Sequence, residues 1–360
     1  MGDVPLPTGL DELTPAWLTA ALSDLHPDAV VEDARVVDVV HGTTTKIRLA
    51  LDLNDVATAV GLPSDVCVKV NFESHAPTTL ALFVYVNEAR FYRHLRPHLP
   101  LVAPAAFYAD DDAASGQGLV VMEDLVAAGA TFGRNTEPLT ADEAAGALDD
   151  LAQLHLRWWD DPQLEHLTWL RRSLGRTDSN MAPWGGWDGV WQTMHRPERA
   201  ALAPPSVNSP ERLAKAFDAL VAREQAATAP VAVLHGDTHL GNSYRTAAGT
   251  LRWLDWQMVR KGRPMREVSY FLGCALDVET RRAAERDLIG HYLDRVASAG
   301  AEPPTFDDAW RQHRGWPIWG LICWAVTEDG WQPRDVNLET IHRFATAIED
   351  LESTEALGVA

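Results

Sequence analysis

A chain of 360 residues, 46% hydrophobic and 23% charged, has the composition of an ordinary globular protein and the length for two lobes with separate cores. Its formal net charge of −20 argues against nucleic acid and anionic membranes as partners, while an acidic surface is compatible with a cationic substrate. Cys67, Cys274 and Cys323, odd in number and far apart, fit reduced, packed thiols in a cytoplasm better than a disulfide frame or a zinc site. No apolar run approaches a membrane span, and the start MGDVPLPTGLDEL lacks the basic opening and apolar centre of a signal peptide.

Thr14-Pro15 opens a first helix, with Thr as cap and Pro at the first helical position, and Trp17, Leu18, Ala21 and Leu22 give it one apolar stripe. Strands follow at 34–40 and 47–53, separated by His41-Gly42-Thr43-Thr44-Thr45. Val66-Cys67-Val68-Lys69-Val70 alternates as a strand with one lysine, and such a lysine is ordinarily a solvated edge residue. A helix is expected over 79–95, containing Asn87-Glu88-Ala89-Arg90-Phe91-Tyr92. Residues 107–109 and 118–122 read as a hairpin whose turn, Asp110-Asp111-Asp112 with Ser115-Gly116, is acidic and exposed. The second strand runs into Met122-Glu123-Asp124-Leu125, and residues 126–138, rich in Ala, Gly and Thr, read as a linker between lobes.

Leu148, Leu151, Leu154, His155 and Trp158 repeat at three and four residues, an amphipathic helix within 139–160. Residues 159–230 read as irregular until a helix near 211–226, with Trp169, Trp184, Trp187 and Trp191 among Gly and Pro. Helical patterns resume at 278–297, 306–325 and 338–351.

The stretch 231–272 carries the chemistry. Val231 to Leu234 is a short buried strand that ends at His235-Gly236-Asp237, and the loop then presents His239 and Asn242. A hairpin turning at Ala247-Ala248-Gly249 brings a second strand, 251–254, to Asp255. Two carboxylates and a carboxamide at the ends of adjacent strands can hold a hard divalent cation and a proton-accepting base on rigid supports. Asp237 and Asn242 are separated by four residues and Asp255 lies thirteen beyond Asn242, the separation that protein kinases give a catalytic-loop Asp and Asn ahead of a metal-holding Asp.

The wording His-Gly-Asp-x-His-x-x-Asn followed by Leu-Asp-Trp resembles the aminoglycoside phosphotransferase and choline kinase superfamily, and most closely its bacterial members related to ecdysteroid kinases. The resemblance covers about 36–276. It implies an α/β (α+β) chain with a two-lobed protein-kinase-like fold: a small β-rich nucleotide-binding lobe over 1–124 and a larger, mainly helical catalytic and substrate-binding lobe over 125–360. It implies transfer of the γ-phosphate of ATP, with Mg2+, to a hydroxyl of a small molecule in the cytoplasm. Asp237 would be the base, and Asn242 and Asp255 the metal ligands. Lys69 would grip the α- and β-phosphates, held by Glu88, with Glu73 a competitor for that role. Gly42, Thr43 and Thr44 would lay backbone amides over the phosphates. Main-chain groups around Met122, Glu123 and Asp124 would hold the adenine, leaving those side chains weakly dictated. His155 would support the catalytic loop. The family places a second Asp after the metal Asp to stabilise the lobe; here the chain reads Arg266-Glu267-Val268, with a longer carboxylate.

Eleven of the fourteen tryptophans fall within 158–191 and 310–331, which places the acceptor against those segments. Trp158 and Trp324 fit a helical core; Trp184, Trp187 and Trp331 sit in expected loops, and Glu328 and Asp329 would add charge for a cationic acceptor. The acceptor is then aminoglycoside-like, macrolide-like or choline-like. Two other readings are open. His235, Asp237 and His239 could ligate a transition metal in a hydrolase. A nucleotide-binding pseudokinase would serve as an interaction module, but its hallmark is loss of the base or a metal ligand, and both are kept.

Overall fold

Alternating apolar residues in the first third pair, in the computed structural model of the chain, into one antiparallel sheet. The structure describes residues 4–24, 26–72, 84–99, 102–174, 181, 185–228 and 230–359. Two compact units divide the chain: Met1–Thr131 with Arg245–Met258, and Phe132–Tyr244 with Val259–Ala360.

In the first unit, β1 (Val31–Val40), β2 (Thr45–Leu53), β3 (Asp65–Val70), β4 (Ala106–Asp112) and β5 (Gln117–Glu123) lie in the order β1-β2-β3-β5-β4. Ile47, Leu49 and Leu51, Val66, Val68 and Val70, and Leu119 and Val121 make one apolar face, packed with Leu18 and Leu22 of α1 (Pro15–Leu22). Thr14 caps α1 as expected, its side chain accepting from the Trp17 amide. By alternation Lys46, Arg48, Cys67, Lys69, Val120 and Met122 fall on the opposite face. Strand β1 is an edge and leaves Val36, Val37 and Val40 exposed; its charged neighbours and two register shifts discourage pairing with another chain.

Helix α2 (Val84–Arg90) continues in a wider helical turn over Phe91–Leu95; residues 79–83 of the expected helix lie outside the described residues. Its backbone crosses β5 at Gly118, where a Cβ would stand 2.2 Å from the Tyr85 carbonyl oxygen, so only glycine admits the approach. The acidic run is not the exposed turn that its composition suggests. Asp110 and Asp111 lie within β4 and pair with Arg93 and Arg90, and the turn falls later, at residues 113–116, where Gly116 supplies the positive φ of 77°.

The second unit is mainly helical: α3 (Ala141–Arg157), α4 (Gly186–Met194), α5 (Pro210–Ala226), α6 (Pro264–Ala275), α7 (Val278–Ser298), α8 (Phe306–Gly315), α9 (Pro317–Val326) and α10 (Arg334–Asp350). A capping box between Thr140 and Glu143 starts α3, and the Ser209 side chain starts α5. Strand β6 (Ala232–Leu234) pairs antiparallel with β7 (Arg260–Gly262). Phe217, Tyr270, Cys274, Leu321, Trp324, Ile341 and Phe344 share the core among the helices.

Two expectations are corrected here. The helix expected over 306–325 is two helices, because Pro317 has no amide hydrogen to continue the first and is suited to the opening turn of the second. The irregular stretch before 211 contains α4, so Trp187 and Trp191 lie on a helix, partly buried against the core, rather than in a loop. Glycine makes a contrasting pair of tests. Gly118→Ala should lower the urea midpoint, at about 1–3 kcal/mol of lost stability from overpacking. Gly146→Ala, on the open face of α3 with nothing within 4 Å, should raise stability by about 0.5–1 kcal/mol.

Candidate active site

Strand alternation turns Lys69 away from the apolar face and toward α2. The Lys69 ammonium lies 2.7 Å from Glu88 Oε2 and 2.9 Å from Asp255 Oδ1, and it is 7% exposed, which excludes the solvated-edge reading. Burial would lower its pKa, but the charges of Asp255 and Glu88 outweigh burial and hold it above the ordinary lysine value, so it stays charged. Glu88 Oε1 also accepts from the Trp256 amide at 3.1 Å, and the Trp256 ring stacks on Phe91 at 3.9 Å. Asp255 itself sits in the left-handed region, φ 63°, which costs a non-glycine residue about 1 kcal/mol. Glu73, the competitor for the lysine, lies outside the described residues.

In the loop between β1 and β2, Tyr85 Oη donates to the Thr43 carbonyl at 2.7 Å, Thr44 is buried and Gly42 is exposed. The segment leaving β5 differs from expectation, because its side chains are strongly dictated. Met122 is buried, and Glu123 Oε1 accepts from the Ala105 amide at 2.8 Å. Asp124 is buried; it takes the Arg48 guanidinium at 2.7 Å and accepts from the amides of Val126 and Ala127.

The loop after β6 is held from α6. Gly236 takes φ 91°, and the buried Glu267 accepts from the His235 amide at 3.0 Å and the Gly236 amide at 2.6 Å. His155 Nε2 joins Glu267 at 2.9 Å, and His155 Nδ1 lies 2.8 Å from Tyr292 Oη. Burial alone would raise Glu267; the hydrogen bond from His155, the charges of His155 and His235 and the Gly236 amide outweigh it and hold the carboxyl below its usual value. The longer side chain therefore braces the loop from its position on α6.

Asp237 follows, its side chain 28% exposed. Tyr270 Oη donates to its Oδ1 at 3.0 Å, and Asn242 Nδ2 donates to its Oδ2 at 3.1 Å and to its carbonyl at 3.0 Å. Burial and the neighbouring Asp237 charge push the Tyr270 phenol up, so it remains a donor. The Asp237 amide donates to His235 Nδ1 at 3.3 Å, and the His239 ring meets Trp324 edge-on with Nε2 3.6 Å from Asp237. A Cβ on Gly241 would come within 2.8 Å of the His239 ring, so a larger residue there would have to displace that ring. Tyr270 is absent from the sequence reading; its place three residues after Glu267, on the same side of a helix, is the signal that could have found it.

Asn242 commits its amide nitrogen to Asp237, which leaves its own Oδ1, an oxygen of the kind hard cations take. Asp255 Oδ1 takes the Lys69 ammonium. A transition-metal set does not assemble: among the described residues no group of three or more His, Cys, Asp or Glu could hold a metal, and His235 Nδ1 already takes the Asp237 amide.

Of the candidates for the acceptor, Trp184 lies outside the described residues. Trp187 packs edge-on against Phe217 at 5.4 Å, and Trp331 is 46% exposed beyond α9. The charge expected of Glu328 and Asp329 is compensated: Arg196 forks onto Glu328 at 2.7 and 2.8 Å, and Arg199 meets Asp329 at 3.0 Å. They offer no free pair of charges to a cation.

Glu267 gives a test with a definite sign. Its folded pKa lies below the unfolded value near 4.5, so its stabilisation is fully present above that pH and is lost as pH falls through the folded value. Glu267→Gln should cost about 3 kcal/mol at pH 7. As pH is lowered from 7, its urea midpoint should draw closer to that of the wild type; a constant gap would show that the charge is not what stabilises the loop.

The profile of the phosphotransferase enzyme family matches residues 61–316. No curated protein sequence matches. The GDP complex of wild-type aminoglycoside 2'-phosphotransferase-IIIa is 11% identical, with 92% of this chain and 98% of that one covered and a TM-score of 0.50. Choline kinase LicA from Streptococcus pneumoniae is 14% identical over 93% and 98%, TM-score 0.48, and macrolide 2'-phosphotransferase MphH from Brachybacterium faecium, as apoenzyme, is 14% identical over 89% and 96%, TM-score 0.45. A five-stranded antiparallel sheet followed by a mainly helical region is the protein-kinase-like fold that the sequence led one to expect. The chain belongs to the phosphotransferase enzyme family and is a small-molecule kinase.

Proposed function

We propose that the protein moves the γ-phosphate of ATP to a hydroxyl of a small molecule, in the cytoplasm, with Asp237 as the base. The observation that carries this reading is the Asp237 carboxylate, still partly open to solvent while Tyr270 and Asn242 fix both of its oxygens. Asp237 orients the acceptor hydroxyl and takes its proton as the oxygen bonds to the γ-phosphorus. The bond from that phosphorus to the bridging oxygen breaks, and ADP leaves. Lys69, kept charged by Glu88 and Asp255, holds the α- and β-phosphates. The amides of Gly42, Thr43 and Thr44 cover the phosphates, and main-chain groups of Met122, Glu123 and Asp124 receive the adenine. Asn242 and Asp255 would hold Mg2+, which would supply charge neutralisation to the transferring phosphoryl group. Such a reaction needs little covalent chemistry from the protein, so positioning and charge carry the rate.

In this reading residues 1–124 bind the nucleotide and residues 125–360 supply catalysis and the acceptor site. In the same reading the chain sits in the ecdysteroid-kinase-related branch, its acceptor is aminoglycoside-like, macrolide-like or choline-like, and the acceptor meets the indoles of Trp184, Trp187 and Trp331. Since Glu328 and Asp329 are paired with arginines, this placement rests on the aromatic composition of the two segments and not on charge.

Asp237→Asn should retain ATP affinity while transfer to a verified acceptor falls by about 10²–10⁴. Full turnover in that variant would remove Asp237 from the mechanism. Asn242→Ala and Asp255→Ala should raise the Mg2+ concentration needed for half-maximal rate, Asp255→Ala more, because it also loses charge; equal Mg2+ dependence in all three proteins would reject both ligand assignments.

A further inference from the structure

Lys46 of β2 stands directly opposite Lys69 of β3 in the strand register. Like charges facing each other across an antiparallel pair repel and destabilise the sheet. The local carboxylates do not relieve both. Glu88 and Asp255 contact the Lys69 ammonium, and Lys46 forms no ion pair with a carboxylate among the described residues. A half-buried lysine beside another lysine, with no acid of its own, is costly unless something anionic arrives.

Its surroundings indicate what arrives. Lys46 reaches back toward the β1–β2 loop, with Nζ 3.8 Å from where a Cβ on Gly42 would be. Tyr85 pins that loop through the Thr43 carbonyl at 2.7 Å. The register also sorts the sheet face into rows. Lys46, Lys69 and Val120 form one row across β2, β3 and β5, and Arg48, Cys67 and Met122 form the next. Two residues along a strand separate the rows by about 7 Å. In the second row the Arg48 charge is neutralised by Asp124, so that row carries no net charge and adjoins Glu123. A face with an uncharged row beside a doubly cationic one matches a ligand with a flat, uncharged ring at one end and a polyanion at the other.

We propose that Lys46 is a second phosphate-binding lysine, acting beside Lys69 on the polyphosphate of the nucleotide. This rests on the nucleotide-dependent reading given above. The ammonium donates to a phosphate oxygen and offsets charge that Lys69, shared between two carboxylates, neutralises only in part. Phosphate in turn relieves the repulsion between the two lysines.

Titration calorimetry of the full chain with ATP, ADP, AMP and adenosine tests this in the wild type, Lys46→Met and Lys46→Arg. Methionine keeps the aliphatic stem and removes the charge. Loss of one charge-assisted contact should weaken ATP by about tenfold or more, leave adenosine within about twofold, and be largely restored by arginine. ATP binding equal to wild type in Lys46→Met would overturn the assignment, and so would equal weakening of ATP and adenosine, which marks lost packing. If the wild type itself binds no ATP, the nucleotide reading falls and this inference with it; if only the Lys46 variants fail to discriminate, the nucleotide reading stands.

Discussion

Glu267 is a carboxylate with essentially no exposure, and a charge in that position must be met by donors on every side. It is met by two consecutive backbone amides, His235 and Gly236, and by the His155 ring. The donors are the loop itself, so satisfying the charge and fixing the loop are the same event. The residue after those amides is Asp237, and its backbone course is set before any ligand binds. One turn further along α6, Tyr270 reaches the Asp237 side chain. A single helix therefore holds the loop by its main chain and the acidic group by its carboxylate.

The first unit solves a related problem with the signs reversed. There the buried charge is an ammonium, and Lys69 is met by Glu88 from α2 and by Asp255 from the segment after the strand Leu251–Trp253. Glu88 also accepts the Trp256 amide, so one carboxylate joins the lysine, its own helix and that segment. This arrangement supports the left-handed backbone at Asp255: the following amide and the side chain both have partners that a relaxed conformation would give up. The second unit meets its buried charge with backbone amides and a ring, the first with two carboxylates, and an acidic group with a prospective chemical role belongs to each cluster.

How much of this the sequence carried depends on the range of the interaction. Alternation in 34–40, 47–53 and 66–70 and the loop spacing of Asp237, Asn242 and Asp255 are local, and the strands and the loop were legible from them. The pairing of Lys69 with Glu88 came from the family resemblance, since alternation alone reads that lysine as a solvated edge residue. The break at Pro317 was also local and was overlooked, because the apolar pattern continues across it. Helix α4 was illegible for another reason: it begins on paired glycines, has nine residues, and draws its stability from packing against Phe217 rather than from propensity. The compensation of Glu328 by Arg196 spans 132 residues and that of Asp329 by Arg199 spans 130, and no periodicity reports such pairs. Asp110 and Asp111 show the same limit at shorter range, since only the packing of α2 brings Arg93 and Arg90 to them.

The overall charge sets a last constraint on how the proposed nucleotide can be held. At −20, the chain as a whole repels ATP, and long-range steering works against encounter. Screening confines that repulsion to roughly 8 Å at physiological ionic strength, so attraction has to be supplied by cations in contact with the phosphates. The first unit keeps lysine scarce on its sheet and puts both Lys46 and Lys69 in one row of one face. Concentrating the positive charge there, and pairing Arg48 with Asp124 one row away, makes attraction a property of the polyphosphate end alone. A neutral ring then gains only from the uncharged row, and an acidic molecule that lacks a polyphosphate makes less use of the paired lysines. On this account the acidic composition is part of the selectivity, and its effect depends on the local excess of lysine on that one row.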